Sequence, residues 1–357
     1  MSDPLPGDFN LSCPLPLDAH TTVQMAHGGG GRVMRGLIEG MLLPAFGGQP
    51  AGPGGRRAPP HDSAVVELEG LRLAFTTDSF VVSPLFFPGG DIGKLAVCGT
   101  VNDLAVTGAT PLYLSAAFVI EEGLEVAVLD RVAASMAAAA REAGVVLVCG
   151  DTKVVRRGEA DGLFVATAGV GVFKGGRPAR RPLAPGDAVV LSGTLGDHGV
   201  AVMLARHEMK FDAPIRSDCA PLNGLCAAML AAAPGLKFMR DPTRGGLAAA
   251  LNEIAGAGGV GMELDEEAVP VDENVAAACE ILGFDPLYLA NEGKVVAVAP
   301  PGEIEALLAA MRRHPLGSRA AVIGRVVAAP ARVVVKTRVG GTRVLEMPLA
   351  DQLPRIC

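Results

Sequence analysis

Hydrophobic and polar positions along the chain follow two periods, one typical of helices and one typical of strands. Apolar residues recur at helical spacing over 32–41, and the segments 92–107 and 125–143 also carry helix start and stop signals. Short apolar runs bounded by turn residues predict strands. Such runs occupy 64–68, 71–77, 111–119, 145–149 and 164–172. Alternating strands and helices predict an α/β or α+β fold.

A polar interruption at 174–187, with three Arg and three Pro, predicts a boundary between two domains. A length of 357 residues also favours two domains, since one domain usually takes roughly 100–200 residues. After the boundary, the pattern predicts a strand at 188–192 and helices at 198–206, 221–233 and 245–256. We expect an arm with a Gly-rich segment at 1–43, a first domain at 44–175, a second α/β domain at 185–335 and a mobile tail at 336–357.

Composition narrows the class of protein. Half of the residues are apolar, which argues against global disorder. The net charge of −7, without basic blocks, argues against nucleic-acid binding. Every apolar stretch is broken before 18 residues, so no membrane span is expected. The acidic, Pro-rich start is typical of neither a signal nor a transit peptide, and seven scattered Cys without C-x-x-C spacing favour a reducing compartment. We therefore expect a cytoplasmic protein.

Several carboxylates lie at or near the ends of predicted elements, where side chains of α/β proteins converge. Asp78 and Asp151 follow predicted strands, Asp91 opens a predicted helix, and Asp103 lies inside that helix beside Asn102. Hard oxygen ligands at such points suit Mg²⁺ bound through the phosphates of a nucleotide. For any one of these Asp residues taken alone, a cap or turn residue is the ordinary interpretation. Asp103 is the exception, because an Asp inside a helix lowers helix propensity and caps nothing.

Glycine-rich segments offer possible phosphate sites. Gly28–Gly31, followed by Arg32 at a predicted helix start, could present backbone N–H groups to a phosphate. The segment matches neither the dinucleotide fingerprint nor the P-loop, and a flexible linker explains it equally well. Arg244–Gly246 is similarly compatible with a phosphate loop or with an ordinary turn.

Cys357, the last residue, is unusual because chain termini fray and seldom carry a structural Cys. From Pro348 onward the chain could extend roughly 30 Å, which is enough to carry a thiol from a pocket to a partner. An incidental exposed Cys remains the alternative. The other Cys of the chain lie mostly in apolar segments, where small core residues are the ordinary interpretation.

Four runs together resemble the HypE family, the carbamoyl dehydratases of [NiFe]-hydrogenase maturation. They are FTTDSFVV at 75–82, FFPGGDIGKLAVCGTVNDLAVT at 86–107, GDTKVV at 150–155 and LPRIC at 353–357. The run His27–Arg32 also matches the H-G-x-G-G-[KR] segment of that family. The broader superfamily includes aminoimidazole ribonucleotide synthetase, selenophosphate synthetase and thiamine-monophosphate kinase. The P-R-I-C ending is what narrows the resemblance to HypE.

The resemblance implies a homodimer of subunits with the two-domain aminoimidazole-ribonucleotide-synthetase-like fold, in which the first domain binds ATP and dimerises. It implies ATP and Mg²⁺ in a cleft. A partner carbamoyltransferase, HypF, would load a carbamoyl group onto the thiol of Cys357. ATP would then convert this thiocarboxamide to a thiocyanate, and the cyanide would pass to iron on the HypC–HypD complex.

The resemblance also implies roles for individual residues. The metal would be held by Asp62, Asp78, Asp103 and Asp151. The nucleotide would contact Asp78, Asp91, Asn102, Asp103, Asp151, Gly29, Gly30, Gly31 and Arg244. Cys357 would be the carrier, Glu292 the general base, and Lys153 a cation that stabilises the thiolate or the transferring phosphoryl group. Asp241, with Arg244, would contribute to the cleft from the second domain.

Two other functions stay open on the sequence. A selenophosphate-synthetase-like enzyme would need a reactive Cys near the Gly-rich loop and a nearby Lys. Cys13 lies fifteen residues before Gly28 and no Lys precedes Lys94, so the match is poor. A nucleotide-gated assembly protein without chemistry would use the same ATP site to regulate partner binding, but would leave the terminal thiol without a role.

Overall fold

The computed structural model describes residues 22–46, 61–174, 180–209, 211, 214–328, 330–350 and 352–357. The first part of the predicted arm, with Cys13, and the beginning of the predicted first domain at 47–60 lie outside this described part. Within it, no helix combines the length and the apolar character that crossing a bilayer requires.

The first domain is built on a five-stranded sheet. Its strands, together with two that form a separate ribbon, are β1 (Ala64–Leu68), β2 (Leu71–Phe80), β3 (Phe86–Phe87), β4 (Gly90–Asp91), β5 (Thr110–Glu121), β6 (Val146–Val155) and β7 (Leu163–Val172). The order in the sheet is β1-β2-β7-β5-β6, and β3 pairs with β4. Among the described strands of this domain, only β5 and β6 run parallel, and they are joined by a helix, as a parallel crossover requires.

The helices of the first domain begin and end close to where the pattern predicts. They are α1 (Arg32–Leu37), a π-helical stretch (Ile38–Leu42), α2 (Leu43–Ala45), α3 (Ile92–Val106) and α4 (Val126–Ala143), with a 3₁₀ turn at Met25–Gly28. The single helix predicted over 32–41 is thus α-helical only in its first part. Helix α3 is buried over nearly its whole length and packs on one face of the sheet. Helix α4 ends at Gly144, which has the left-handed conformation usual for a glycine helix stop.

The second domain contains a seven-stranded mixed sheet. Its strands are β8 (Ala188–Leu191), β9 (Phe238–Arg240), β10 (Gly261–Asp265), β11 (Val296–Ala299), β12 (Ala321–Val327), β13 (Val333–Lys336) and β14 (Thr342–Val344). They lie in the order β14-β13-β10-β12-β8-β11-β9. The helices are α5 (Asp197–Arg206), α6 (Asn223–Ala232), α7 (Gly246–Gly258), α8 (Glu273–Leu282) and α9 (Ile304–Arg313), with 3₁₀ turns at Glu266–Ala268, Pro286–Tyr288, Pro301–Glu303 and Pro315–Gly317.

Helices cover both faces of this second sheet, which explains the continuous apolar runs of its central strands. Because successive side chains of a strand point to opposite faces, Val189 and Val190 of β8 enter different cores. Val189 packs in the core that contains Leu247 of α7. Val190 packs in the core that contains Leu225 of α6 and Leu307 of α9.

The C-terminal segment crosses back to the first domain. The predicted tail begins at 336, but β14 still pairs within the second sheet, so the chain leaves that sheet only after residue 344. Leu353 and Ile356 are buried in the core that includes α3. The N–H of Val81 donates to a backbone carboxylate oxygen of Cys357 over 3.0 Å. The terminus is therefore docked between the domains in this structure.

Candidate active site

A cleft of about 240 Å³ separates the two domains and collects side chains from both. Its carboxylates are Asp62, Asp78, Asp103, Asp241, Glu253 and Glu292, and it is also lined by Arg240, Arg244, Gly30 and Cys357. This density of carboxylates with two arginines is typical of a site for a metal ion and an anionic ligand.

Three aspartates form the centre of the cleft. Oxygen atoms of Asp62, Asp103 and Asp241 lie within 4.8 Å of one another. Asp103 comes from α3 and accepts a hydrogen bond of 2.8 Å from the hydroxyl of Thr76 on β2. Burial, and then repulsion by Asp241 and the other carboxylates, raises the pKa of Asp103 well above its usual range. Burial and the charge of Asp62 raise the pKa of Asp241 to about 8.

The donor set of this cluster fits Mg²⁺. Carboxylate oxygens are the ligands that this ion prefers, and a bound cation would offset the mutual repulsion of the three groups. Oδ2 of Asp62 is buried and accepts no hydrogen bond from the described residues, although Arg240 lies 3.1 Å from Oδ1 of the same carboxylate. Asp78, which lies within β2 rather than after it, also faces the cleft, with its Oδ1 4.0 Å from Nη2 of Arg244.

Hydrogen bonds hold the backbone of Glu292 in place, and its carboxyl group is directed toward the cleft. Its side chain is buried, and Oε1 has no hydrogen-bond partner among the described residues. The carboxylate of Asp218 accepts the N–H groups of Glu292 and Gly293 over 3.1 and 3.2 Å. A Cβ at Gly293 would collide with the carbonyl oxygen of Asp218, so this turn requires glycine. Burial, and then the charge of Asp241, raises the pKa of Glu292 well above its usual range.

The Gly-rich segment forms one wall of the cleft. Gly30 has a φ of +71°, and a Cβ there would lie 2.8 Å from the Cβ of Arg244. The guanidinium of Arg244 donates to the carbonyl of Gly28 over 3.2 Å. Gly29 lines a neighbouring cavity of about 440 Å³, and Gly31 is the residue that precedes α1. The close approach of Gly30 to Arg244 thus connects the first-domain loop to the second domain.

Cys357 lies at the junction of these two cavities. It lines the carboxylate cleft and also the neighbouring cavity formed by the 22–29 segment and the end of the chain. Cys357, the carboxylate cluster and Glu292 therefore line one space.

Two predicted nucleotide contacts lie beside the cleft rather than in it. Asp91 is the N-cap of α3: its carboxylate accepts the N–H groups of Gly93 and Lys94 and the hydroxyl of Ser135. Asn102 is fully buried, and its amide donates to the carbonyl of Glu292 over 3.2 Å. Neither residue lines the cleft. In this chain they support α3 and the Glu292 turn.

The structure does not bring Asp151 and Lys153 to the cleft of their own chain. Strand β6 continues to Val155, so both residues lie within an exposed edge strand, where they form an ion pair of 2.8 Å. Strands β5 and β7 separate β6 from β2, which carries Asp78. Three spacings of about 4.8 Å place these strands about 14 Å apart.

Sequence reasoning missed three further residues of the site, Arg240, Lys294 and Asp218. Arg240 pairs with Asp62 and Glu253, and Lys294 pairs with Asp218 over 3.0 Å. Arg240 and Lys294 lie beside the Asp241 and Glu292 that the runs RDPTRGG and NEGK already suggest, so proximity in sequence is a partial signal. Asp218 has none, because the fold alone brings it to Glu292.

Comparison with known proteins assigns both domains to one class. A family model for the N-terminal domain of AIR synthase related protein matches residues 60–173. The model for the C-terminal domain of the same family matches residues 184–336. The chain is therefore an AIR synthase related protein, and the two-domain α/β fold expected from its sequence is confirmed.

Individual relatives narrow this class. "Carbamoyl dehydratase HypE" of Rhodobacter capsulatus is 54% identical over 337 residues, which cover 94% of this chain and 98% of the relative. A crystal structure of a HypE–HypF complex superposes with a TM-score of 0.80 at 48% identity, covering 87% of this chain and 99% of that one. A HypE structure in complex with ATP gives 0.77 at 44% identity, with 94% and 100% covered. The chain belongs to the HypE family of carbamoyl dehydratases, which confirms the resemblance and the assignment to hydrogenase maturation enzymes.

Proposed function

We propose that the chain uses ATP to dehydrate a carbamoyl group carried on the sulfur of Cys357, giving a thiocyanate whose cyanide becomes an iron ligand of [NiFe]-hydrogenase. The observation that carries this proposal is the shared cleft, which Cys357 lines together with Glu292 and the carboxylate cluster. The ATP complex of a HypE relative supports the choice of nucleotide.

The reaction balances with ATP as the only co-substrate. The carbamoyl oxygen attacks the γ-phosphorus, and the bond to ADP breaks. The C–O bond of the phosphorylated intermediate then breaks, phosphate leaves, and carbon and nitrogen form the triple bond. Both N–H protons are lost: one leaves with phosphate and one is released. Phosphorylation is needed because an amide oxygen is otherwise a poor leaving group.

The cleft offers a base and a metal site for these steps. No donor among the described residues reaches the buried Oε1 of Glu292, and the raised pKa of this carboxyl favours taking a proton from the carbamoyl nitrogen. Asp62, Asp78, Asp103 and Asp241 would hold Mg²⁺, which when bound neutralises phosphate charge. The added positive charge would also favour the ionised form of Glu292, the form that a base requires.

An exposed apolar face of the first domain supports a homodimer. On the sheet face opposite α3, the side chains of Phe75, Tyr113, Val119 and Val146 are between 37% and 55% exposed. Pairing places Lys153 opposite Val119 on this face. A second copy would cover these apolar side chains and could bring its own Lys153 to this chain's cleft.

Mixed dimers would show whether Lys153 acts in the cleft of the partner subunit. Such a dimer pairs one Lys153→Met subunit with one Cys357→Ala subunit. Its one intact carrier, Cys357, then belongs to the Lys153→Met subunit, and the partner subunit has the intact Lys153. If Lys153 acts across the interface, this mixture regains activity although each variant alone is inactive. A mixture that stays inactive would place Lys153 outside that role.

Partners are proposed from the relatives. The HypE–HypF complex supports HypF as the transferase that loads the carbamoyl group, and the HypC–HypD complex would receive the cyanide. The proposal is tested by incubating the chain with HypF, carbamoyl phosphate and ATP. Cys357→Ala should abolish thiocyanate formation and retain ATP binding. Cys279→Ala, which removes a thiol outside the cleft, should retain both, and thiocyanate formation by Cys357→Ala would refute the carrier role.

A further inference from the structure

A buried histidine contacts the C-terminal segment next to the carrier residue. His198, near the start of α5, has no exposed surface, and its Nε2 lies 2.8 Å from the carbonyl oxygen of Ile356. Its Nδ1 lies 2.8 Å from Oγ of Ser217. Because a carbonyl oxygen only accepts, Nε2 carries the proton, and Nδ1 accepts from the hydroxyl. These contacts define one neutral tautomer, and burial lowers the pKa of His198, which favours the same neutral form.

The bond to His198 fixes the peptide that joins Ile356 to Cys357. A peptide unit is planar, so holding its carbonyl also sets the direction in which the Cys357 backbone continues. The other hydrogen bonds that hold the end of the chain, here called anchors, lie further from the thiol or come from backbone N–H groups. Arg206 donates to the carbonyl of Arg355 over 2.7 Å, and the N–H of Val81 donates to a backbone carboxylate oxygen of Cys357. Among these anchors, His198 is the side chain that holds the peptide immediately before the carrier.

The pair Ser217 and Asp218 also positions the candidate base, Glu292. Ser217 orients His198, and the next residue, Asp218, accepts the N–H groups of Glu292 and Gly293. Lys294 holds the Asp218 carboxylate over 3.0 Å. Ser217 therefore fixes the carrier through His198, and Asp218 fixes the turn that contains Glu292. Because these two residues are adjacent, the carrier and this turn are held relative to each other.

We propose that His198 is a positioning residue for the dehydration step: its Nε2–H donor holds the docked terminus so that the Cys357 sulfur faces Glu292. The inference rests on the proposed function, in which HypF loads the thiol, and we place this loading outside the cleft. Loading then requires this hydrogen bond to break, and dehydration requires it to form again.

The test compares His198→Phe, which keeps a ring without a donor, with His198→Gln, whose amide can donate in place of Nε2. The exposed His207→Gln, at the end of the same helix, is the matched control. Two rates are measured. One is the single-turnover conversion of pre-carbamoylated protein to thiocyanate at saturating ATP. The other is the alkylation of Cys357 by iodoacetamide, read from the mass of the peptide released by cleavage before Asp351.

Loss of a buried hydrogen bond should slow dehydration about tenfold in His198→Phe and speed alkylation by about the same factor. ATP affinity should stay unchanged, and His198→Gln should restore both rates in part. Unchanged rates in His198→Phe, or rates that fall together with ATP affinity, would overturn the proposal. Should His198→Phe not fold, Ser217→Ala, which removes the group that fixes the tautomer, should shift both rates in the same directions, and unchanged rates would refute it.

The alkylation rate of Cys357 tests this inference independently of the proposed function. Faster alkylation of His198→Phe supports the positioning role even where the parent chain forms no thiocyanate. An absence of thiocyanate in the parent chain would refute the proposed function alone.

Discussion

Asp241 allows a quantitative test of the carboxylate cluster, because its pKa is raised from 3.8 to about 8 by burial and by the charge of Asp62. A carboxyl whose pKa is higher in the folded state binds its proton more tightly there than in the unfolded chain. Its stabilising contribution is complete below pH 3.8 and is lost as the pH rises to about 8. Each pH unit across this window costs about 1.4 kcal/mol, so the cost at pH 7 is about 4 kcal/mol.

We therefore expect Asp241→Asn to stabilise the metal-free protein. The amide keeps the shape of the carboxyl group and carries no charge, so up to about 4 kcal/mol of this cost at pH 7 is recovered. The gain should grow from pH 5 to about pH 8, where Asp241 completes its ionisation. The same variant should lose Mg²⁺-dependent ATP binding, since one carboxylate of the cluster is gone.

Urea unfolding in EDTA at several pH values between 5 and 9 measures the effect. Asp130→Asn, at an exposed position of α4, is the control and should change the free energy of unfolding by less than about 0.5 kcal/mol. The reasoning is refuted if Asp241→Asn is no more stable than the parent chain at pH 8, or if its gain does not depend on pH.

Three further variants test other parts of the cleft. Glu292→Gln should let carbamoylated Cys357 accumulate without dehydration, because the amide takes up no proton; a normal thiocyanate yield, read by mass spectrometry, would exclude Glu292 as the base. Asp78→Asn should weaken Mg–ATP binding about tenfold in calorimetry, and unaltered affinity would make Asp78 a purely structural residue. Gly293→Ala should lower the dehydration rate at least tenfold, because its Cβ collides with the Asp218 carbonyl and displaces the Glu292 turn; an unchanged single-turnover rate would show that the turn tolerates the displacement.

Local pattern was sufficient for the elements and for part of the site. The helix at 92–107 was predictable because Asp91 supplies a cap and an apolar run follows. Asp103 stood out because an interior helical Asp needs another reason to be there, and the structure places it in the carboxylate cluster. Asp78 was predictable as a cleft residue, although its strand continues past it to Phe80.

Contacts between distant parts of the chain were not predictable from one sequence. His198, Asp218 and Glu292 are far apart in the sequence, and only the folding of the second domain, with the return of the chain end, brings the Ser217–Asp218 pair to Glu292 and His198 to Ile356. Asp151 shows the converse case. A Gly–Asp pair after an apolar run suggested a strand end, but β6 continues, and the sheet order then keeps Asp151 three strands from Asp78.

The central claim concerns the sulfur of Cys357, and the mass of the C-terminal peptide tests it most directly. After incubation with HypF, carbamoyl phosphate and ATP, we predict that this peptide gains one carbamoyl group and then loses one water molecule. A peptide that stays unmodified under these conditions, or that keeps its carbamoyl group when ATP is in excess, would contradict the account.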